Sequence, residues 1–251
     1  MKALFLEYFK IRRKRIWMML TLFLGAEMAW ASMSLSISIS RNTDNASWEA
    51  LIFSISSMNG LFLPIISAIV VSRVCDMEHK GNTWKMLKTT NTGRNQVYAA
   101  KYICANSLIL YGIIAQAVFI FGFGWFKEIG GDMPFLPLLQ FVIGTMITTL
   151  LVIALQQWLS LTVRNQAFAL CLGLLGGFIG TTSGLFPPGI RQFLLWSYYM
   201  DLSPVTYVYS TASTTGSYVS GMPPAGLLIA AMLLTVILYF AGSFHASKQE
   251  I

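Results

Sequence analysis

The chain has 251 residues, of which 55% are apolar and only 11% charged, and its mean hydropathy is +0.63. A soluble domain carries about a quarter charged residues, so this composition excludes a water-facing globule and indicates a polytopic membrane protein. The formal net charge of +7 does not signal nucleic acid, because the basic residues gather at the ends of apolar runs, where they set topology.

Residues 1–15 come first. Leu4, Phe5, Tyr8, Phe9 and Ile11 fall on one helical face and Glu7, Lys10 and Lys14 on the other. That pattern predicts a helix lying in the membrane interface among anionic lipids. A disordered basic tail is the alternative. The apolar run 16–38 comes next. Ala29-Trp30-Ala31 resembles a signal-peptide cleavage site, but the basic region before the run is too long for one, so the run is expected to remain as the first membrane helix. Ser32, Ser34, Ser36, Ser38 and Ser40 alternate with apolar residues at strand period. A lone strand in lipid leaves its backbone unpaired, so a helix is expected to the outer interface. Glu27 is the acid near the middle of this span. A charge there costs on the order of 3 kcal/mol, so it must face protein or a wet cavity, either lining a substrate route or fixing helix packing.

Further runs long enough to cross a bilayer, which takes about 20 helical residues, are 51–71, 102–125, 135–163, 167–186 and 225–244. The predicted fold is therefore all-α with six transmembrane helices, in one membrane domain over 16–251. One side of this topology holds Lys2, Lys10, Arg12, Arg13, Lys14, Arg15, Arg73, Lys80, Lys85, Lys88, Arg94, Lys101, Arg164 and Lys248. The other holds Arg41, Lys127 and Arg191. That split of 14 against 3 among the 17 basic residues predicts both termini and the 73–101 stretch in the cytoplasm, and a multi-pass cell membrane location.

Within 73–101, Asp76 and Glu78 lead and Lys85 and Lys88 come after them, matching a helix macrodipole. Met77, Trp84 and Leu87 share a side, which suits a short amphipathic helix entering a groove of another protein. A solvated loop with Trp84 resting in the headgroups reads equally well. Gln156, Gln157 and Trp158 are expected at the approach to the inner interface, snorkelling. The fifth span carries Gly173, Gly176, Gly177, Gly180 and Gly184. Four-residue glycine spacing lets helix backbones touch, either inside this chain or against a second subunit. Segment 187–224, rich in Pro, Trp and Tyr, predicts short interfacial or re-entrant helices on the outer side. Cys75, Cys104 and Cys171 have no metal-ligand spacing and are expected as free thiols.

No G-x-x-x-x-G-K-[ST] and no H-E-x-x-H occurs, so the residues provide no P-loop and no zinc-protease motif. No His or Lys at membrane depth stands ready to activate a serine, so no catalytic residue is expected. No metal is expected either, and no cofactor in this chain. Glu27 alone makes no proton relay, which disfavours an ion-coupled carrier.

The basic leading helix, the stretch Glu78 with Gly81-Asn82-Thr83-Trp84-Lys85 and Leu87, Lys101 opening the third span, and Pro188, Trp196 and Pro204 before the last one together resemble the six-helix permeases of type-two ABC exporters. The narrower similarity is to permeases of lantibiotic immunity transporters of Gram-positive bacteria. It covers nearly the whole length, although family members often have a proline where this chain reads Thr90-Asn91-Thr92-Gly93-Arg94. The resemblance implies a half-transporter paired with a related but distinct second permease and driven by two copies of an ABC ATPase, which hold ATP and Mg. Glu78, Gly81, Thr83, Trp84 and Leu87 would then form the ATPase-coupling helix, and the substrate would be a cationic antimicrobial peptide expelled from the membrane. The alternative is a non-transporting scaffold or sensor that recruits a soluble partner through the same loop.

Overall fold

Apolar runs with no charge in their middles have one stable form in lipid, the helix, because only there is every backbone group paired within the segment. The computed structural model describes residues 2–81, 93–163, 165–209 and 216–248, with the side chains of 2, 3, 13 and 77–81 outside the description. Among the described residues six helices are long and apolar enough to cross a membrane. In chain order the helices are α1 (Lys2–Arg13), α2 (Ile16–Arg41), α3 (Trp48–Gly81), α4 (Arg94–Phe126), α5 (Phe135–Thr162), α6 (Gln166–Thr182), the one-turn α7 (Pro188–Arg191) and α8 (Tyr198–Asp201), and α9 (Ala225–Lys248). The serine-alternating stretch is helical to Arg41, as the cost of an unpaired strand requires.

Helix α3 is the centre. Its Leu63, Ile66 and Val70 meet Leu20 and Leu24 of α2, Leu108 and Ile109 of α4 and Val152 of α5 in one buried cluster. Helix α9 joins through Tyr239, whose ring centroid lies 5.4 Å from Tyr98 and 5.0 Å from Tyr102. Its other face, with Ile229, Leu233, Val236 and Phe240, is exposed and apolar, as a lipid-facing surface must be. The ends of the chain share one end of the bundle, where Arg94 Nη1 donates to the Ser247 carbonyl at 2.9 Å. We call it the basic end, and the opposite one the far end.

The first helix and the outer segment each depart from the sequence expectation. Helix α1 does not present Glu7 to solvent. Its inward face is Glu7 and Ile11, both buried, and its outward face is Phe5, Leu6 and Phe9. The apolar residues of α1 exceed what the bundle covers, while a buried Lys101 gives Glu7 a partner. In the 187–224 segment the short helices α7 and α8 are present, but they are followed by an antiparallel hairpin of β1 (Val205–Tyr209) and β2 (Gly216–Ser220). Alternating β-branched and aromatic residues favour that pairing, and Tyr207 and Tyr218 stand opposite one another with centroids 5.0 Å apart, over Phe53 of α3. Upstream of the hairpin, Arg191 Nε lies 2.8 Å from Asp201 Oδ1, and Ser197 Oγ donates to Asp201 Oδ2 at 3.1 Å.

Candidate functional site

The polar stretch 73–101 is mostly helix. Its first part continues α3 to Gly81 and its last part is the opening of α4 from Arg94. Glu78 and Gly81 thus sit on the last turn of α3, while Thr83, Trp84 and Leu87 lie outside the described residues. The two helices that flank this segment are fastened by a buried node. Lys101 Nζ lies 3.1 Å from Glu7 Oε2 and donates to the Val74 carbonyl at 2.8 Å, with the two side chains 1% and 3% exposed. Lys10 Nζ takes the other Glu7 oxygen at 3.0 Å. Tyr8 and Ser107 add a second contact between α1 and α4, hydroxyl to hydroxyl. An ammonium without water requires such acceptors, since an uncompensated buried charge costs several kcal/mol. The node therefore locks α1, the end of α3 and the start of α4 into one body.

At mid-bundle Glu27 of α2 is fully buried. The Gln116 amide of α4 faces it, yet neither carboxyl oxygen closes a hydrogen bond of full geometry. Gln116 Nε2 in turn donates to Asn59 Oδ1 of α3 at 2.7 Å. Tyr199 of α8 lies within electrostatic reach of Glu27, and its hydroxyl is 3.2 Å from Thr149 Oγ1 of α5. Glu27 is the sole acid of the mid-span but it is not isolated from polar groups. Its neighbours come from three other elements, and this arrangement pins helices together at membrane depth.

The glycines of α6 face α3 rather than outward. A Cβ built at Gly177 would stand 2.6 Å from the Leu61 carbonyl oxygen, and Gly173 and Gly180 lie against Ala68 and Gly60. The place has a local cause. Pro64 lies inside α3 and has no N–H for the Gly60 carbonyl, so a helix without side chains there can close over it. Gly176 takes the indole of Trp196 instead. A Cβ built at Gly184 would meet open space. Gln156 and Gln157 do not snorkel. Both are buried, and Gln157 Nε2 donates to the Tyr98 carbonyl at 2.9 Å. Trp158 Nε1 donates to His245 Nδ1 at 2.9 Å, joining α5 to α9.

What this arrangement does chemically is hold helices together. Among the described residues no group of three His, Cys, Asp or Glu side chains is placed to hold a metal, and Cys75, Cys104 and Cys171 are free thiols. Sequence reasoning missed Glu7, Lys101, Gln116 and Asn59 as partners. A signal existed for Lys101, a cation directly ahead of a long apolar run with an acid on the leading helix, but their 94-residue separation hides the pairing from any local pattern.

In a comparison with known protein families, the model described as ABC-2 family transporter protein matches residues 3–180. No curated protein matches the chain.

Proposed function

This chain belongs to the ABC-2 family of transporter proteins, and from that premise we propose that it is the permease subunit of an exporter that expels a lantibiotic-type cationic peptide from the membrane. The family places it as the multi-pass transport component of an ABC system in the cell membrane, working with an ABC ATPase. The finer assignments are our reading. The complex holds two copies of the ATPase and a second, related permease, the source is a Gram-positive bacterium, and both termini face the cytoplasm.

In this reading α1 lies in the inner interface, and the last turn of α3 with the segment after it is the coupling element. Glu78, Gly81, Thr83, Trp84 and Leu87 receive the ATPase's movement. The observation that supports this is the Glu7–Lys101–Val74 node, which ties together the two helices that precede and follow that segment in the chain. A force applied between α3 and α4 meets a rigid body there, not two helices free to splay, so it is passed along both helices to the mid-bundle contacts of Glu27, Gln116 and Asn59. An amphipathic peptide already concentrates at the bilayer surface, so a lateral opening between subunits serves in place of an enclosed tunnel.

The test is to exchange Trp84→Ala and Glu78→Ala, separately, and measure ATPase association and peptide resistance in cells. The proposal expects association weakened by about tenfold or more in Trp84→Ala, as for a buried aromatic anchor, with resistance lost in parallel. Unchanged association and unchanged resistance in both variants remove the coupling assignment.

A further inference from the structure

We propose that the half-open cavity at the far end, under the turn from α4 to α5, binds the ammonium group of an amphipathic cation. The cavity is about 760 Å³ and its lining includes the aromatic residues Trp48, Phe121, Trp125 and Phe126 together with the acids Glu128 and Asp132. Gly124 makes it possible, because any side chain there would occupy the space of the Trp48 ring. Trp48 is 8% exposed, so its ring is fixed as the inner wall.

The turn holds its acid against the backbone's preference. Helix α4 ends with the Glu128 N–H donating to the Trp125 carbonyl at 3.1 Å and the Ile129 N–H to the Gly124 carbonyl at 3.1 Å. That bond pattern puts a left-handed residue between, a position that glycine usually fills. Here it is Glu128, at φ 51°. Lys127, the basic residue of the turn, lies over Phe123 at 5.9 Å from the ring centroid, and Phe123 does not line the cavity.

The chemistry of the walls selects the ligand. Aromatic faces carry negative π density and attract a cation, two carboxylates add to that attraction, and the apolar rings take an alkyl chain. An anion meets repulsion from the carboxylates, and a neutral ligand forgoes their attraction. A primary or quaternary ammonium on an apolar body satisfies both halves. The assignment rests on the exporter reading only for the fate of the ligand after capture, since the cavity is built entirely from this chain.

The experiment uses the full chain in maltoside micelles without ATPase, with hexyltrimethylammonium as probe and saturation-transfer NMR on its N-methyl protons. The expected result is a saturable methyl signal, none for hexyl glucoside at equal concentration, and binding weaker by about tenfold or more in Glu128→Gln/Asp132→Asn and in Trp125→Ala. Glu128→Gly guards against misfolding, because it gives the turn its preferred residue. It should keep or raise thermal stability while binding falls. Equal affinity in the parent and in folded Glu128→Gly overturns the site. Competition separates the sources: displacement by phosphatidylethanolamine alone makes the ammonium a lipid headgroup's, displacement by a leucine-lysine amphipathic peptide makes it a lysine's, and displacement by neither overturns the assignment. A chain that binds the probe but confers no peptide resistance with its ATPase fails the exporter reading and leaves the site standing.

Discussion

Glu7→Gln removes one charge from a buried node. Lys101 is 1% exposed and Glu7 3%, with 3.1 Å between Nζ and Oε2, a separation at which two unit charges attract by ~5 kcal/mol at an effective dielectric near 20. After substitution Lys101 keeps the Val74 carbonyl but loses the Glu7 carboxylate, and the loss of one member of a buried pair costs about 3–5 kcal/mol. Lys101→Met should cost less than Glu7→Gln, since Glu7 retains Lys10 and methionine fills the space. The assay is equilibrium unfolding in detergent for the parent, both single variants and the double variant. The account predicts that Glu7→Gln/Lys101→Met is more stable than the sum of the single losses by about 2 kcal/mol or more, as expected of groups in direct contact. Single losses below about 0.5 kcal/mol, the scale of an exposed pair, or a double loss equal to the sum, would refute the node.

The same contacts set other outcomes. Gly177→Leu drives a side chain into the Leu61 carbonyl of α3 and should lower stability in a thermal melt by about 1–3 kcal/mol, whereas Gly184→Leu, with open space around it, should change little. Gln116→Leu leaves Asn59 and Glu27 facing apolar carbon and should cost about 1–3 kcal/mol in the same measurement; a neutral result would show that the mid-bundle contact holds nothing. Burial keeps the Asp201 proton on to higher pH than a free aspartate, outweighing the pull of Arg191 and Ser197. The folded state therefore binds this proton more tightly than the unfolded one. The resulting stability is complete below the ordinary aspartate range and is lost as pH rises through the raised value. Hydrogen exchange across 195–205 should speed up over that rise, and Asp201→Asn should flatten the profile.

The six spans were readable because a bilayer imposes a length and the backbone accepts only a helix within it. The starts of α2 at Ile16, α5 at Phe135 and α9 at Ala225 coincide with the starts of their apolar runs. Their polar ends were less readable. Helix α3 runs on to Gly81 and α4 begins at Arg94, because helical hydrogen bonds continue past the lipid boundary where hydropathy no longer reports them. Glu7 was placed on a wet face since amphipathic patterning ranks residues by polarity and is blind to a partner elsewhere in the chain. The same blindness applied to Gln156 and Gln157, whose acceptor and neighbours lie on α4 and α6. The glycine row announced close approach in its spacing, but its partner is set by Pro64 on α3, which no pattern within α6 contains. The hairpin was missed because tyrosines and valines at an interface satisfy a belt and a strand equally well. Thr83, Trp84 and Leu87 lie outside the described residues, so the coupling reading still rests on sequence at those positions.

The central claim is that this chain has its work done by an ATPase engaging the segment after α3. The most direct measurement is crosslinking from position 84, with a photoreactive residue in place of Trp84, in membranes that contain all partner proteins, and then identification of the captured protein. The account predicts capture of an ATP-hydrolysing subunit, with a yield that changes when nucleotide is added. Capture of lipid alone from that position, with an ATPase present in the same membranes, would contradict it.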